Sequence, residues 1–279
     1  MTTHYILLIN CTDRKGLIHN ITGVLYHHGL NIVSNGEFVD QKRKLFFMRT
    51  EFSGTLHPEQ IVTELKTVLP DGADIQLPKR QKRDVIIMAS KEFHCLGDLL
   101  SRYAFDDLGA NVLAVISNHT TLKDYVQRFG IPYHYVSHTN KMREEHEARI
   151  IKIIDKYSPD YIVLAKYMRV FTPAFVSHYK NQIVNIHHSF LPAFTGASPY
   201  KQAFDRGVKI IGATAHFVNE DLDNGPIITQ DITPVDHTYS AEDMGRAGRD
   251  VEKVVLAKAL KLVFEDRVFI NGNKTIVFG

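Results

Sequence analysis

The chain is poor in cysteine, in long apolar runs and in charge of one sign, and each shortage excludes a class. Two cysteines, Cys11 and Cys95, cannot build a disulfide framework, so a reducing compartment is the natural setting. Nowhere do ~18 apolar residues run together, as a membrane-crossing helix requires. The opening "MTTHYILLINCTDRKG" lacks the basic stretch and long apolar core of a secretory leader. Both absences lead to a cytoplasmic, non-membrane expectation. The 33 Lys and Arg nearly balance the 31 Asp and Glu, leaving +2, which gives no support for a nucleic-acid-binding face. What is present suits a globular protein: 44% hydrophobic residues can fill real cores. At 279 residues the chain is long for one small domain and comfortable for two.

Residues 1–80 alternate compactly. "YILLINC" reads as a strand, followed by the turn "TDRKG". Leu17, Ile18, Ile21, Val24 and Leu25 then recur at helical spacing up to Gly29, which suits a helix C-terminus. "NIVSNGEFVD" and "KLFFMRTEF" read as strands, a second helix follows Pro58, and "DIQLP" closes the set. The order is βαββαβ, which suits a small sheet with both helices on one face. "PKRQKR" (78–83) reads as a solvated linker, because apolar periodicity stops there and restarts at once.

From residue 84 to 279 the rhythm is that of an α/β domain. "DVIIMAS", "NVLAVISN", "DYIVLAKY", "QIVNIHHSF" and "IIGATAHFVN" are short β-branched runs with amphipathic stretches between them. This predicts a mostly parallel sheet buried on both faces. Ser198–Pro199 suits the start of a helix ending near Gly207. A late helix opens with a capping-box pattern, Ser240 and Asp243, and its Gly245 and Gly248 are candidates for close packing.

The chemistry concentrates in "VNIHHSF" (184–190). Strand alternation puts Asn185 and His187 on one face and His188 on the other. Ligands of open α/β sheets bind at the C-terminal strand ends, where this pair falls. The divergent histidines and the lack of an HxH or ExxH pattern argue against zinc. "NEDLDNGPI" (219–227) has Asn224 where a calcium loop needs glycine, so Asp223 reads as a single carboxylate on a turn. Cys95 reads as a packed small hydrophobe. From these residues alone a structural and a catalytic reading both stand. The catalytic one is acyl transfer or hydrolysis without a covalent intermediate, since no elbow serine or papain-like cysteine setting is present.

"VNIHHSFLPAF" with "HFVNEDLDNGPII" resembles the core of the folate-dependent formyltransferase family, whose signature pairs an Asn-x-His strand with an Asp in a Leu-Asp-x-Gly-Pro turn. The first eighty residues resemble an ACT domain, with "DRKGL" after the first strand. The resemblance implies an ACT-like domain joined to a Rossmann-like, mostly parallel-sheet formyltransferase domain. It further implies that Asn185 and His187 stabilise an oxyanion, while Asp223 orients His187 and activates water. "LAKYMRV" (164–170) is similar to the family's pterin segment, which assigns Leu164, Tyr167, Met168, Arg169 and Val170 to folate binding.

The acceptor is read separately. "ASKEFHCLGDLL" has no glycine before its helix and carries Glu92 where a phosphorylated amine would need a cradle. Lys91 partly offsets that charge. Water is then the acceptor, and 10-formyltetrahydrofolate, a substrate rather than a bound cofactor, is expected to yield tetrahydrofolate and formate. Transfer to a small amine, and a folate-binding sensor without turnover, are the competing readings. ACT resemblance implies a homo-oligomer and, near Asp13, Gly16 and Leu17, either an amino-acid effector region or a scaffold alone. His216, Lys166 and Tyr167 lie close to these motifs, and the sequence leaves open whether they line a pocket or pack.

Overall fold

The computed structural model describes residues 4–55, 57–78, 81–193 and 199–279. Lys79 and Arg80 of the expected linker, and Gly196 and Ser198 of the loop before the expected helix, lie outside these residues.

The chain divides into two compact units. The first holds β1 (His4–Thr12), α1 (Leu17–His27), β2 (Asn31–Asp40), β3 (Leu45–Ser53), α2 (Pro58–Val68) and β4 (Asp74–Gln76). Its four strands lie in the order β2-β3-β1-β4, with β1 antiparallel to both neighbours. Alternate residues Leu7, Ile9 and Cys11 of β1 and Phe46, Met48 and Phe52 of β3 form one core with Leu17, Ile21, Val24 and Leu25 of α1 and Ile61 and Leu65 of α2. A period of two meets a period of 3.6 in that layer. Gly29, at φ 67°, ends α1 as expected.

The second unit continues with β5 (Arg83–Ala89), α3 (His94–Ala104), β6 (Ala110–Ser117), α4 (Lys123–Gln127), β7 (Tyr133–Tyr135) and α5 (Arg143–Tyr157). Then come β8 (Tyr161–Leu164), α6 (Pro173–His178), β9 (Ile183–His187), α7 (Pro199–Arg206), β10 (Ile210–Phe217), β11 (Ile227–Pro234) and α8 (Ala241–Phe264). The sheet order is β11-β10-β9-β8-β5-β6-β7. Strands β5 to β9 are mutually parallel, whereas β10 runs antiparallel to β9 and to β11. Ile86 and Met88 pack with Ile150 and Ile154 of α5 and Phe175 of α6, while Val85 and Ile87 are buried on the opposite face. Ser240 and Asp243 form the expected capping box on α8.

The chain's C-terminal hairpin, β12 (Val268–Asn271) and β13 (Lys274–Val277), corrects the expected domain limits. Residues 266–269 and 276–279 group with the first unit, although the sequence reading placed everything beyond 84 in the second. Phe269 packs edge-on against buried Phe47 at 5.6 Å and against Phe278 at 5.6 Å. Aromatic burial on the free face of the N-terminal sheet accounts for that grouping.

From β5 the chain winds to β6 and β7 on one side, then returns to place β8 and β9 on the other. The crevice beyond β5 and β8 is therefore the topological switch point, where such sheets bind ligands.

Candidate active site

Strand β9 delivers the amide and the imidazole. Ile183, Val184 and Ile186 bury it, and β8 and β10 pair with it on either side. The antiparallel register sets Asn185 opposite His216. Such partners share a face, and Asn185 Nδ2 lies 3.2 Å from His216 Nε2. His216 Nδ1 lies 2.8 Å from the Phe217 carbonyl, to which it donates. Its Nε2 is then the unprotonated acceptor for one Asn185 N–H, which assigns the amide's orientation. Burial lowers the His216 pKa, with the Phe217 carbonyl and Asp223 opposing. His216 is thus a neutral positioning partner of Asn185.

Asp223 arrives on the β10–β11 connection. A Cβ on Gly225 would sit 1.8 Å from the Phe217 carbonyl oxygen, so only glycine lets this turn lie against the strand. Asp223 itself has φ 54°, a left-handed conformation that aspartate tolerates better than most residues. Its Oδ1 lies 3.2 Å from His187 Nδ1 and 4.0 Å from His216 Nε2. Burial pushes the carboxyl up, but the His187 hydrogen bond and the neighbouring imidazoles outweigh it, and the net pKa is lowered. The other His187 nitrogen, Nε2, is buried without a hydrogen-bond partner among the described residues. Leaving such an atom unmade costs ~1–3 kcal/mol, and a ligand oxygen there would recover it.

The segment after β8 forms the facing wall. Lys166, at φ 63°, gives its carbonyl to the Ser90 N–H at 3.2 Å, and Met168 N–H donates to Ser90 Oγ at 3.0 Å. Buried Glu147 holds Thr172 by its N–H and hydroxyl, closing the far end of the loop. Tyr167 stacks on Phe171 at 5.4 Å and 13°. Asn185, His187 and Asp223, and with them Leu164, Tyr167, Met168, Arg169 and Val170, all line one cavity of about 310 Å³.

One expectation is overturned. His188 lines the same cavity, although alternation placed it on the opposite face. β9 ends at His187, so the period of two stops there, and the two rings lie 5.2 Å apart at 30°.

Behind this wall lies a charge cluster that sequence reasoning missed. Glu252 of α8 is fully buried. It accepts from His94 Nε2 at 2.8 Å and Tyr200 Oη at 2.6 Å, and Lys166 Nζ lies 3.2 Å away. Gly248 makes room for it, since a Cβ there would fall 2.1 Å from the Tyr200 ring. At Gly245 the nearest atom would be 3.8 Å away, so only one of the two glycines marks close packing. His94, Cys95 and Glu252 could in principle hold a metal. The Lys166 ammonium already sits on the carboxylate, and burial pushes the Cys95 thiol far up. A second cation is therefore disfavoured, and Cys95 packs as expected.

In the N-terminal unit, Asp13 and Gly16 are exposed, while Leu17 is buried in the core. A cavity of about 400 Å³ in this unit is lined by α1 and the start of β2, including His19, Tyr26 and Asn31, and not by those three residues.

Comparison with known proteins gives the class first. The formyl transferase family pattern matches residues 83–260, and the ACT domain pattern matches residues 5–70. A Haemophilus influenzae protein named formyltetrahydrofolate deformylase is 54% identical over 272 residues, covering 98% of each chain. The crystal structure of a formyltetrahydrofolate deformylase from Pseudomonas syringae superposes with a TM-score of 0.94 at 41% identity, covering 99% of this chain and 94% of that one. A glycinamide ribonucleotide transformylase from Symbiobacterium toebii gives 0.69 at 27% identity, with all of it covered but 75% of this chain. The chain belongs to the formyltetrahydrofolate deformylase family.

Proposed function

We propose that the chain hydrolyses 10-formyltetrahydrofolate to tetrahydrofolate and formate, with Asn185, His187 and Asp223 as the reacting groups. The observation that carries the reading is the convergence of all three on one cavity, with the buried Nε2 of His187 left for a ligand oxygen. Asn185 spends one Nδ2 hydrogen on His216 and keeps the other for the formyl oxygen. As an imidazolium, His187 donates at both nitrogens, to Asp223 and to that oxygen. When water adds, the carbonyl electrons move to oxygen and meet donors already in place, the usual source of the largest catalytic term. Asp223 takes a proton from the attacking water. His187 gives its Nε2 proton to N10 as the carbon–nitrogen bond breaks.

Leu164, Tyr167, Met168, Arg169 and Val170 would flank the pterin. Arg169 and Val170 form no backbone hydrogen bond with the described residues, which leaves donors and acceptors at the wall for the ring's polar edge. Folate enters as substrate, and no tightly bound cofactor is required.

Water as acceptor is supported at the start of α3. Glu92 lies 3.6 Å from His94 Nδ1, and a carboxylate beside this helix N-terminus disfavours the anion of a phosphorylated amine there. By the same reading the ACT unit pairs with a second copy in a cytoplasmic enzyme, and either takes an amino acid near Asp13, Gly16 and Leu17 or serves as a scaffold alone. The activity is tested by giving the purified protein 10-formyltetrahydrofolate alone. Formate and tetrahydrofolate should appear in equal amounts; formate only after an amine is added would refute hydrolysis.

A further inference from the structure

His188 has no task in the mechanism above, yet it borders the same cavity as His187 and Asp223. Its ring hydrogen-bonds none of the described residues. A water that attacks a formyl carbon must point a lone pair at it, and it is held best in that orientation when both of its hydrogens are accepted elsewhere. His187 is committed as a donor to the formyl oxygen and to Asp223, so it cannot accept one, and of Asn185 only the amide oxygen is left to accept. Asp223 accepts one hydrogen, while Glu220 and Asp221 are exposed at the rim. Asn219 Oδ1 and Tyr167 Oη line the cavity too, buried without partners among the described residues, but His188 stands beside His187, with the two rings 5.2 Å apart.

We propose that His188 seats the attacking water, accepting its second hydrogen through a ring nitrogen. The proposal rests on the deformylase reading. As the oxygen–carbon bond forms, one water proton passes to Asp223. The other stays on the new hydroxyl, held by His188, until formate leaves.

The surroundings keep His188 an acceptor. It faces His187 of β9, Asp223 of the β10–β11 turn, Lys166 after β8, Glu252 of α8 and, at 6.2 Å between rings, Tyr200 of α7. Burial and then Lys166 push its pKa down to about 4, with Glu252 and Asp223 opposing. At neutral pH the ring has a free lone pair. Glu252 holds Lys166 at 3.2 Å, which fixes the ammonium whose charge opposes protonation of the imidazole.

The test compares His188→Leu, which fills similar space without an acceptor, with His188→Gln, which restores one. His188→Leu should lower kcat about 10²-fold, with KM and measured folate affinity within about twofold, as expected for a group that touches only the reacting water. His188→Gln should recover at least about a tenth of the wild-type kcat. Near-normal kcat in His188→Leu overturns the proposal, as does a parallel loss of folate affinity or no recovery in His188→Gln. If His188→Leu does not fold, His188→Ala with added imidazole replaces it, and absence of rescue overturns the proposal. Wild-type protein that releases no formate refutes the deformylase reading instead.

Discussion

Asn185 shows how much of the position of a proposed oxyanion donor is set by its neighbour His216. One amide hydrogen is tied to His216, whose own tautomer is tied to a backbone carbonyl. In the proposed mechanism the remaining N–H is pre-aimed, so stabilising an oxyanion there would cost no reorganisation. Asn185→Ala should lower kcat by ~10²–10³-fold, or about 2.7–4 kcal/mol of barrier, while thermal unfolding shifts little. A melting curve beside a turnover assay checks both halves. The Asn-x-His spacing and the Leu-Asp-x-Gly-Pro turn made it legible in the sequence that Asn185, His187 and Asp223 come together at one cavity. His216 was not, because its partnership depends on β10 running antiparallel to β9, and nothing in "IIGATAHFVN" states a direction. His188 was misplaced because alternation was carried one residue beyond the strand's end.

At the scale of elements, α8 carries a buried carboxylate on an otherwise apolar face. Val255, Leu256 and Ala259 are the kind of residue its periodicity predicts to be inside. Glu252 is inside only because Lys166, His94 and Tyr200 come from three other segments to meet it. A single helix's pattern cannot reveal such a partnership, though Gly248 signalled that something packs closely there. Burial raises the Glu252 pKa, but the His94 hydrogen bond, the Lys166 charge and the Tyr200 hydroxyl bring it down to about 2. A depressed carboxylate stabilises the fold above its unfolded pKa, and that contribution is lost as pH falls through the folded one. Stability should therefore decline between about pH 4.5 and pH 2, by on the order of 3 kcal/mol from this group. Glu252→Gln should flatten that part of the acid-unfolding profile. It should also cost roughly 3–5 kcal/mol at neutral pH, because Lys166 is left buried without its counter-charge. An unchanged acid limb in the variant would contradict the assignment.

Across the whole molecule, both units were legible because each repeats one simple rule: alternation under helices in the first, β-branched runs between helices in the second. The C-terminal hairpin was not, since a short stretch such as "VFING" can serve either core. The ACT pattern at residues 5–70 leads to the expectation that a free amino acid alters the deformylase rate, which a screen of the common amino acids checks. No binding and no rate change would leave the unit a scaffold. The chemistry itself is tested most directly by isotope. Turnover of 10-formyltetrahydrofolate in ¹⁸O-labelled water, without any amine, should give formate carrying one labelled oxygen per molecule. Unlabelled formate, or a formyl group recovered on an amine, would contradict attack by water at this site.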